Sequence, residues 1–478
     1  MTPDSPPQSE QLQRGQIGLL GVLMPGLAQV APAFNLFFTT GVMASLAGAS
    51  VPLIFLISMV GVAATASSLA QFAGLYPSSG SFLTYIAKTM GARSSTAVGV
   101  IAIVGYIIAF GGIYIFVGSY LVQNVFGNPH IWGITQIVTI AYGVLVTAPV
   151  VLGLKFGVRI TVVLYVFEAI LLLVLSAVFL FNGGPSGTSL TPFAWPGGTK
   201  DVLLAFSLAI LAFGGFEAAA PLAEETRNPR RNVPIAVLGT VLVSGIIYVL
   251  GSWALVTAFG PTHITALAND PNPFHTAAER YISALAPFVT WIFLTSVTSS
   301  YVAANTQTSR VIFGGARGGL WAKQLASISP KFKTPSVAAV AFVAPSIVIA
   351  VASTAFTQPA TASGFLGTYG ILGVIVMYLM ANLALIVHWF KHRAEASSKV
   401  ISRLILPIIG IVVLAIPVYG DLQPGQPAPY KYLPYLTLGL IALGVVYALV
   451  LGVRRPDALR KAPALLEGAE VEDLAVTT

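Results

Sequence analysis

The chain has 478 residues, 56% of them hydrophobic and only 8% charged, with a mean hydropathy of +0.85. Soluble domains carry about 25% charged residues, so a water-exposed surface is excluded and an integral membrane protein is expected. The absence of cysteine excludes disulfides, thiolate catalysis and zinc–cysteine sites, and the net charge of +8 fits cytoplasmic loops better than nucleic-acid binding.

The first residues, MTPDSPPQSEQLQRGQ, are polar and Pro-rich. They lack the layout of a cleaved signal peptide and are expected to be a short disordered cytoplasmic tail. A spanning helix needs about 20 mostly apolar residues. Twelve such segments follow, at 16–45, 51–75, 95–124, 131–152, 157–182, 201–222, 233–258, 285–311, 335–356, 363–389, 402–420 and 432–453. The runs are too long for barrel strands, and they lack the apolar/polar alternation of a barrel.

With the N-terminus inside, all but three of the 24 Lys and Arg fall in cytoplasmic segments; the exceptions are Lys200, Arg280 and Lys431. That asymmetry follows the positive-inside rule and places both termini in the cytoplasm. The longest external segment, 259–284, is expected to be either a lid or a plain connector. The tail after 454 turns from basic to acidic (Glu467, Glu470, Glu472, Asp473) and is expected to be disordered.

Of the 16 acidic residues, only Glu168 and Glu217 lie well inside predicted spans. An ionisable group at membrane depth is expensive and marks a functional site by default, although a neutral structural carboxylate is the alternative. Glu217 follows Phe213-Gly214-Gly215-Phe216 and precedes Pro221 within the sixth span. The first span carries a similar interruption, from Met24-Pro25-Gly26 through Gln29-Val30-Ala31-Pro32-Ala33-Phe34-Asn35. Pro32 removes a backbone donor and clashes with the preceding turn. Broken helices persist in a membrane only where the freed backbone lines a cavity or is buried in protein. Two breaks five spans apart lie in oppositely oriented copies, the pattern of an inverted-repeat transporter with a midplane site. Half-helix N-termini attract anionic groups and free carbonyls attract cations, so a zwitterion suits such a site. Alternatively, Pro25 and Pro32 only kink a packing helix.

Four stretches resemble the amino acid–polyamine–organocation (APC) superfamily of permeases. They are the first-span break, the loop Ala70–Tyr85 (AQFAGLYPSSGSFLTY), the AFGGFE and ETRNPRRNVP residues up to Pro234, and Asn305–Leu320 (NTQTSRVIFGGARGGL) followed by Thr334-Pro335. The resemblance implies an all-α membrane protein of twelve helices, a five-plus-five inverted repeat with discontinuous helices one and six, and two extra helices. The implied divisions are a tail at 1–15, a first repeat at 16–182, an external loop at 183–200, a second repeat at 201–390, two further spans at 391–453 and a tail at 454–478. It implies that substrate meets the backbone of Ala31, Pro32, Ala33 and Phe34 and of Phe213, Gly214, Gly215 and Phe216, with Gln29 and Tyr106 lining the pocket and Phe213 covering it. Glu217 matches a family carboxylate linked to gating or proton response. Glu225 is expected to pair with a cytoplasmic Arg as an inner gate, or else to form a solvated surface pair.

The chain departs from the family pattern at two places. Ala31-Pro32-Ala33 replaces a Gly-rich break, leaving fewer N–H donors for a carboxylate and room for an amine. Glu168 stands where many amino acid members carry a Lys in the fifth span. A carboxylate at low dielectric can load and release a proton or help hold a cation. Ser296, Ser299 and Ser300 either supply oxygens to a sodium ion or pack between helices.

The expected function is a secondary active importer of a small amino acid by proton symport and alternating access, with Glu168 and then Glu217 as coupling residues. An amine or polyamine carrier, or an exchanger without net ion coupling, is the alternative. No catalytic pair or metal-ligand motif appears within the spans, and no filter repeated by symmetry suggests a channel. The expected partners are a small amino acid or amine, protons and the lipid bilayer, without nucleic acid, metal or cofactor. The expected location is the plasma (bacterial inner) membrane.

Overall fold

In hydrocarbon every backbone N–H and C=O must be satisfied within the segment, so long apolar runs become helices. The computed structural model bears this out over residues 12–127, 131, 133–196, 200–270, 272–392, 399–423 and 425–466. Residues 1–11 of the N-terminal tail, Arg393, and the acidic residues Glu467, Glu470, Glu472 and Asp473 lie outside the described residues.

The first apolar stretch divides into α1 (Leu19–Val30), α2 (Pro32–Ala47) and α3 (Val51–Leu75). Then come α4 (Phe82–Met90), α5 (Ala92–Asn124), α6 (Ile134–Val151), α7 (Leu154–Asn182) and α8 (Lys200–Leu211). A 3-10 segment, Phe216–Glu225, continues from α8 after the glycine pair and leads to α9 (Pro229–Phe259). Two short helices, α10 (Ile264–Asn269) and α11 (Pro273–Tyr281), precede α12 (Ala286–Arg317), α13 (Ser336–Ser353) and α14 (Pro359–Lys391). A π-helical turn, Ile401–Ile405, opens α15 (Leu406–Asp421), and α16 (Leu433–Arg454) and α17 (Pro456–Leu465) complete the chain. Among the described residues, strand pairing is limited to one isolated parallel bridge, Ile17 with Thr226.

Eleven helical stretches among the described residues are long and apolar enough to cross a membrane. The first, Leu19–Leu75, has 57 residues and contains α1, α2 and α3. At 1.5 Å per residue it is far longer than the roughly 30 Å of a bilayer core, and Gly48, at φ +62°, interrupts it.

The two breaks occupy the interior. α1 packs against α7, α9, α12 and the 3-10 segment; α5 runs along α14, α3 along α9, and α7 along α12. The α5–α14 crossing is close because it is made of glycines. A Cβ on Gly105 would lie 2.7 Å from the Gly370 carbonyl oxygen, and one on Gly370 would lie 2.3 Å from the Ala109 nitrogen. Small residues of this kind let membrane helices approach and gain dispersion contacts where no hydrophobic drive exists. α15 and α16 lie outside this group, against α3 and α8 and against α5.

The segment 259–284 is folded over one end of the bundle. α10 packs on α2, Phe274 of α11 is fully buried against Phe37 with ring centroids 4.5 Å apart, and the Tyr281 hydroxyl donates to the Ala258 carbonyl at 2.8 Å. At the other end, the part of the C-terminal tail expected to be disordered contains α17. Its apolar residues Leu459 and Ala462, with Leu466 just beyond, recur at helical spacing and are buried.

Candidate functional site

The first break is a single residue. Ala31 sits in the left-handed region (φ 48°, ψ 66°) and Pro32 begins α2. A non-glycine residue there costs roughly 1–2 kcal/mol, a cost that surrounding contacts must offset. Asn35 Nδ2 donates to the Val30 carbonyl at 2.6 Å and to the Ala212 carbonyl at 3.3 Å. The Tyr248 hydroxyl of α9 lies 3.1 Å from the Val30 carbonyl oxygen and 2.6 Å from that of Ala212. One amide and one phenol therefore tie together the carbonyl ends of α1 and α8.

The N-terminus of α2 is also occupied. Pro32 has no N–H, the Ala33 N–H donates to Glu168 Oε1 at 2.7 Å, and the Phe34 N–H donates to Ser296 Oγ at 3.2 Å. Ser296 in turn donates to Glu168 Oε1 at 2.8 Å. Glu168 is fully buried, and its Oε2 has no hydrogen-bond partner among the described residues. A carboxylate at a helix N-terminus is stabilised by the aligned peptide dipoles. The backbone expected to receive a substrate carboxylate thus already holds one belonging to the chain.

The second break relies on Gly215, at φ +103°. A Cβ there would lie 2.6 Å from Gln29 Cγ, so Gly215 is required both by conformation and by the approach of α1. Its N–H donates to the Tyr378 hydroxyl at 3.3 Å. Tyr378 donates to Glu217 Oε2 at 2.5 Å, and Tyr106 donates to Oε1 of the same carboxylate. Glu217 lies in the first turn of the 3-10 segment, so this half-helix also carries a carboxyl group of its own at its N-terminal end.

The expected lining residues divide accordingly. Ala31, Pro32, Ala33, Gly214, Gly215, Tyr106 and Gln29 lie at the breaks or beside them. Gln29 has a buried Oε1 without a hydrogen-bond partner among the described residues, and its carbonyl accepts from Ser300 at 3.0 Å. Phe213, expected as a cover, is fully buried edge-on against Tyr248 (5.1 Å), and Phe216 stacks on Tyr378 (5.0 Å). Phe34 joins an aromatic cluster with Phe38, Phe116 and Phe293, at centroid distances of 5.4, 6.1 and 5.8 Å. Of the three serines weighed as sodium ligands, Ser296 binds Glu168, Ser299 donates to the Ser296 carbonyl, and Ser300 binds Gln29.

At the basic end, Glu225 is not a solvated surface pair. It pairs with Arg310 through both carboxylate oxygens, and the two side chains are 2% and 1% exposed. Arg310, near the end of the predicted span 285–311, lies inside α12, and its Nη1 donates to the Thr306 carbonyl at 2.8 Å. A second pair lies alongside: Arg317 donates to Glu224 at 2.5 and 2.9 Å and to Ser79 Oγ at 3.2 Å, while the Ser79 N–H donates to Glu224 at 2.9 Å. Three of the family-like stretches, 70–85, 212–234 and 305–320, meet here. The chain before α1 is fastened to the same place. The Ile17 N–H donates to the Glu225 carbonyl at 3.1 Å, and the Arg227 N–H donates to the Ile17 carbonyl at 2.8 Å.

Sequence reasoning missed Tyr248, Tyr378, the capping role of Asn35, and the Glu224–Arg317 pair. The available signal was depth: a tyrosine at mid-span must find a partner for its hydroxyl.

The amino acid permease family model matches residues 21–423. The chain is 25% identical over 448 residues to the low-affinity putrescine importer PlaP of Escherichia coli (strain K12), covering 91% of this chain and 93% of that protein. It is 25% identical to the branched-chain amino acid permease BcaP of Bacillus subtilis (strain 168), over 69% of this chain and 73% of that protein. It is 26% identical to the methylthioribose transporter of the same organism, over 63% and 67%. With two broken helices at its centre and this match along most of its length, the chain belongs to the amino acid permease family of the APC superfamily, and it is a multi-pass membrane transporter of amino acids or amines, not an enzyme.

Proposed function

We propose that this chain is a secondary active importer of a small organic amine, taken up with a proton by alternating access. The observation that carries the reading is the charge of the site. Two helix C-termini, those of α1 and α8, converge within reach of Asn35 and Tyr248, and C-termini are electronegative. The two electropositive N-termini opposite them are already matched by resident carboxylates, Glu168 and Glu217. The remaining field favours a positive group on the substrate. One relative, matched over 91% of this chain and 93% of its own length, is a putrescine importer, which agrees.

A small amino acid is the second reading. The Gly215 N–H, held by Tyr378 at 3.3 Å, supports it, because that contact is long enough to be exchanged for a substrate carboxylate.

Glu168 is the proposed coupling group and Glu217 the second. Glu168 joins α7 to α2 and α12, so gaining or losing its charge alters contacts among three helices. Gln29, Ala31, Pro32, Ala33, Phe34, Tyr106 and Phe213 to Phe216 are the proposed lining. The Glu225–Arg310 and Glu224–Arg317 pairs form the inner gate, and the Phe34 cluster forms the outer one. The positive-inside asymmetry supports an inner-membrane orientation with both termini cytoplasmic.

Helix pairing supports a five-plus-five repeat. Mapping spans one to five onto six to ten exchanges the α5–α14 contact with α12–α7 and leaves α3–α9 on itself. Counting two spans within Leu19–Leu75 gives the twelve expected.

Proteoliposome uptake tests the coupling. Glu168→Gln is expected to abolish uptake driven by a pH gradient while weakening equilibrium binding far less. Proton-driven uptake at the normal rate in that variant refutes the assignment.

A further inference from the structure

We propose that α17 is a built-in clamp on the inner gate, with Leu466 as its wedge, so that the C-terminal helix sets how readily the carrier opens to the cytoplasm. The proposal rests on the reading of Glu224–Arg317 and Glu225–Arg310 as that gate.

α17 is amphipathic: Leu459 and Ala462 face inward, whereas Asp457, Arg460 and Lys461 face outward. Just past its end, Leu466 is fully buried between two backbone segments that belong to different parts of the carrier. One is the loop after α3 with the first turn of α4. The Thr84 hydroxyl lies 3.2 Å from the Leu466 carbonyl oxygen, and a Cβ on Gly80 would meet Leu466 Cδ2 at 3.3 Å. The other is the end of α12. A Cβ on Gly318 would lie 2.7 Å from Leu466 Cδ2, and one on Gly319 would meet Ala458 Cβ at 3.3 Å.

These same two segments hold Glu224. Ser79, next to Gly80, gives its N–H to Glu224, and Arg317, next to Gly318, gives its guanidinium to both Glu224 and Ser79. Gly314 completes the contact, since a Cβ on it would lie 2.8 Å from the Gly80 nitrogen. Leu466 therefore lies behind the ion pair and fastens the α3 side to the α12 side. Breaking the contact between Ser79, Glu224 and Arg317 parts the loop after α3 from the end of α12, and the Leu466 pocket must then split. An interaction made in only one of two states shifts the equilibrium toward that state, here the inward-closed one.

The chain has no cysteine, so one introduced thiol reports access through the gate. Thr306 is suited to this. It is 4% exposed and lies one turn deeper than Arg310, whose guanidinium it accepts through its carbonyl. In full-length Thr306→Cys protein in inside-out vesicles, a membrane-impermeant maleimide is applied to the cytoplasmic face. Leu466→Ala is expected to raise the labelling rate roughly three- to ten-fold by releasing the closed state. Gly318→Ala reaches the same pocket without altering α17. Its φ of −71° accepts alanine, but the new methyl displaces Leu466, so it too is expected to speed labelling. The double variant is expected to label no faster than Leu466→Ala alone, and Lys461→Ala, on the exposed face of α17, at the parent rate.

Glu224→Gln separates the clamp from the gate. If it speeds labelling while Leu466→Ala and Gly318→Ala both label at the parent rate, the gate stands and the clamp is overturned. If Glu224→Gln also leaves labelling unchanged, the gate reading fails and the clamp fails with it.

Discussion

At the first break the carboxylate comes from another helix; at the second it comes from the broken segment itself. Glu168 reaches from α7 to an α2 amide and a serine hydroxyl, so it joins three helices. Glu217 sits just beyond Gly215 and is held by two tyrosine hydroxyls, from α5 and α14. A backbone amide cannot rotate away from its acceptor, whereas a phenol can reorient or exchange partners. The first arrangement suits a group whose charge is felt by neighbouring helices. The second suits a group that adjusts to what lies beside it. The breaks also differ in backbone: Ala31 holds a left-handed conformation despite its side chain, whereas Gly215 holds one because it has none.

The largest expected effect comes from filling the second break. In Gly215→Val a β-branched residue would have to adopt φ +103° with its Cβ 2.6 Å from Gln29 Cγ. Substrate affinity is expected to fall by about 100-fold or more, since strain and overlap together cost several kcal/mol. Ligand-induced thermal shift measures this, and unchanged affinity places the site elsewhere.

Tyr378→Phe is next. It removes the acceptor of the Gly215 N–H and one donor of Glu217 at once, leaving buried polar groups unmatched at about 1–3 kcal/mol each. Uptake is expected to fall about tenfold or more on that scale. A rate equal to wild type shows that the tyrosine pair does not hold Glu217 during transport.

Tyr248→Phe is expected to do least. Asn35 still bonds the Val30 and Ala212 carbonyls, so the loss is that of a shared hydrogen bond, about 1 kcal/mol. A fall of a few degrees in melting temperature with transport retained is the expected outcome. Loss of transport at normal stability makes Tyr248 part of the transport cycle and erases the difference between the two breaks.

Much of the fold was legible because membrane segments announce themselves by length. The predicted second span, 51–75, has the bounds of α3. Both breaks were legible because Pro and Gly interrupt apolar runs for identifiable steric reasons. What satisfies the freed backbone was not legible. Tyr248 and Tyr378 act from spans whose rotation no periodicity reveals, and 17 tyrosines offer too many candidates. Glu168 was marked by depth and by its place in the fifth span, but its partner, the Ala33 amide, lies 135 residues away. Arg310 stands one residue before the end of the predicted span 285–311, which gave no sign of its burial; α12 continues to Arg317 and buries it. α17 was hidden by polar and proline residues, although Leu459, Ala462 and Leu466 already had helical spacing.

A site that supplies its own anions is expected to take an amine. A competition pair tests it most directly: a primary amine and the α-amino acid that differs from it only by the carboxylate, each competing against uptake into proteoliposomes. The amine is expected to compete at least about tenfold better, the effect of roughly 1.4 kcal/mol, and Glu168→Gln is expected to narrow the gap when the pair is compared by equilibrium binding. An amino acid that outcompetes its amine in the wild-type protein would show that the site has an anion-binding subsite left open, contrary to the resident carboxylates filling both helix N-termini.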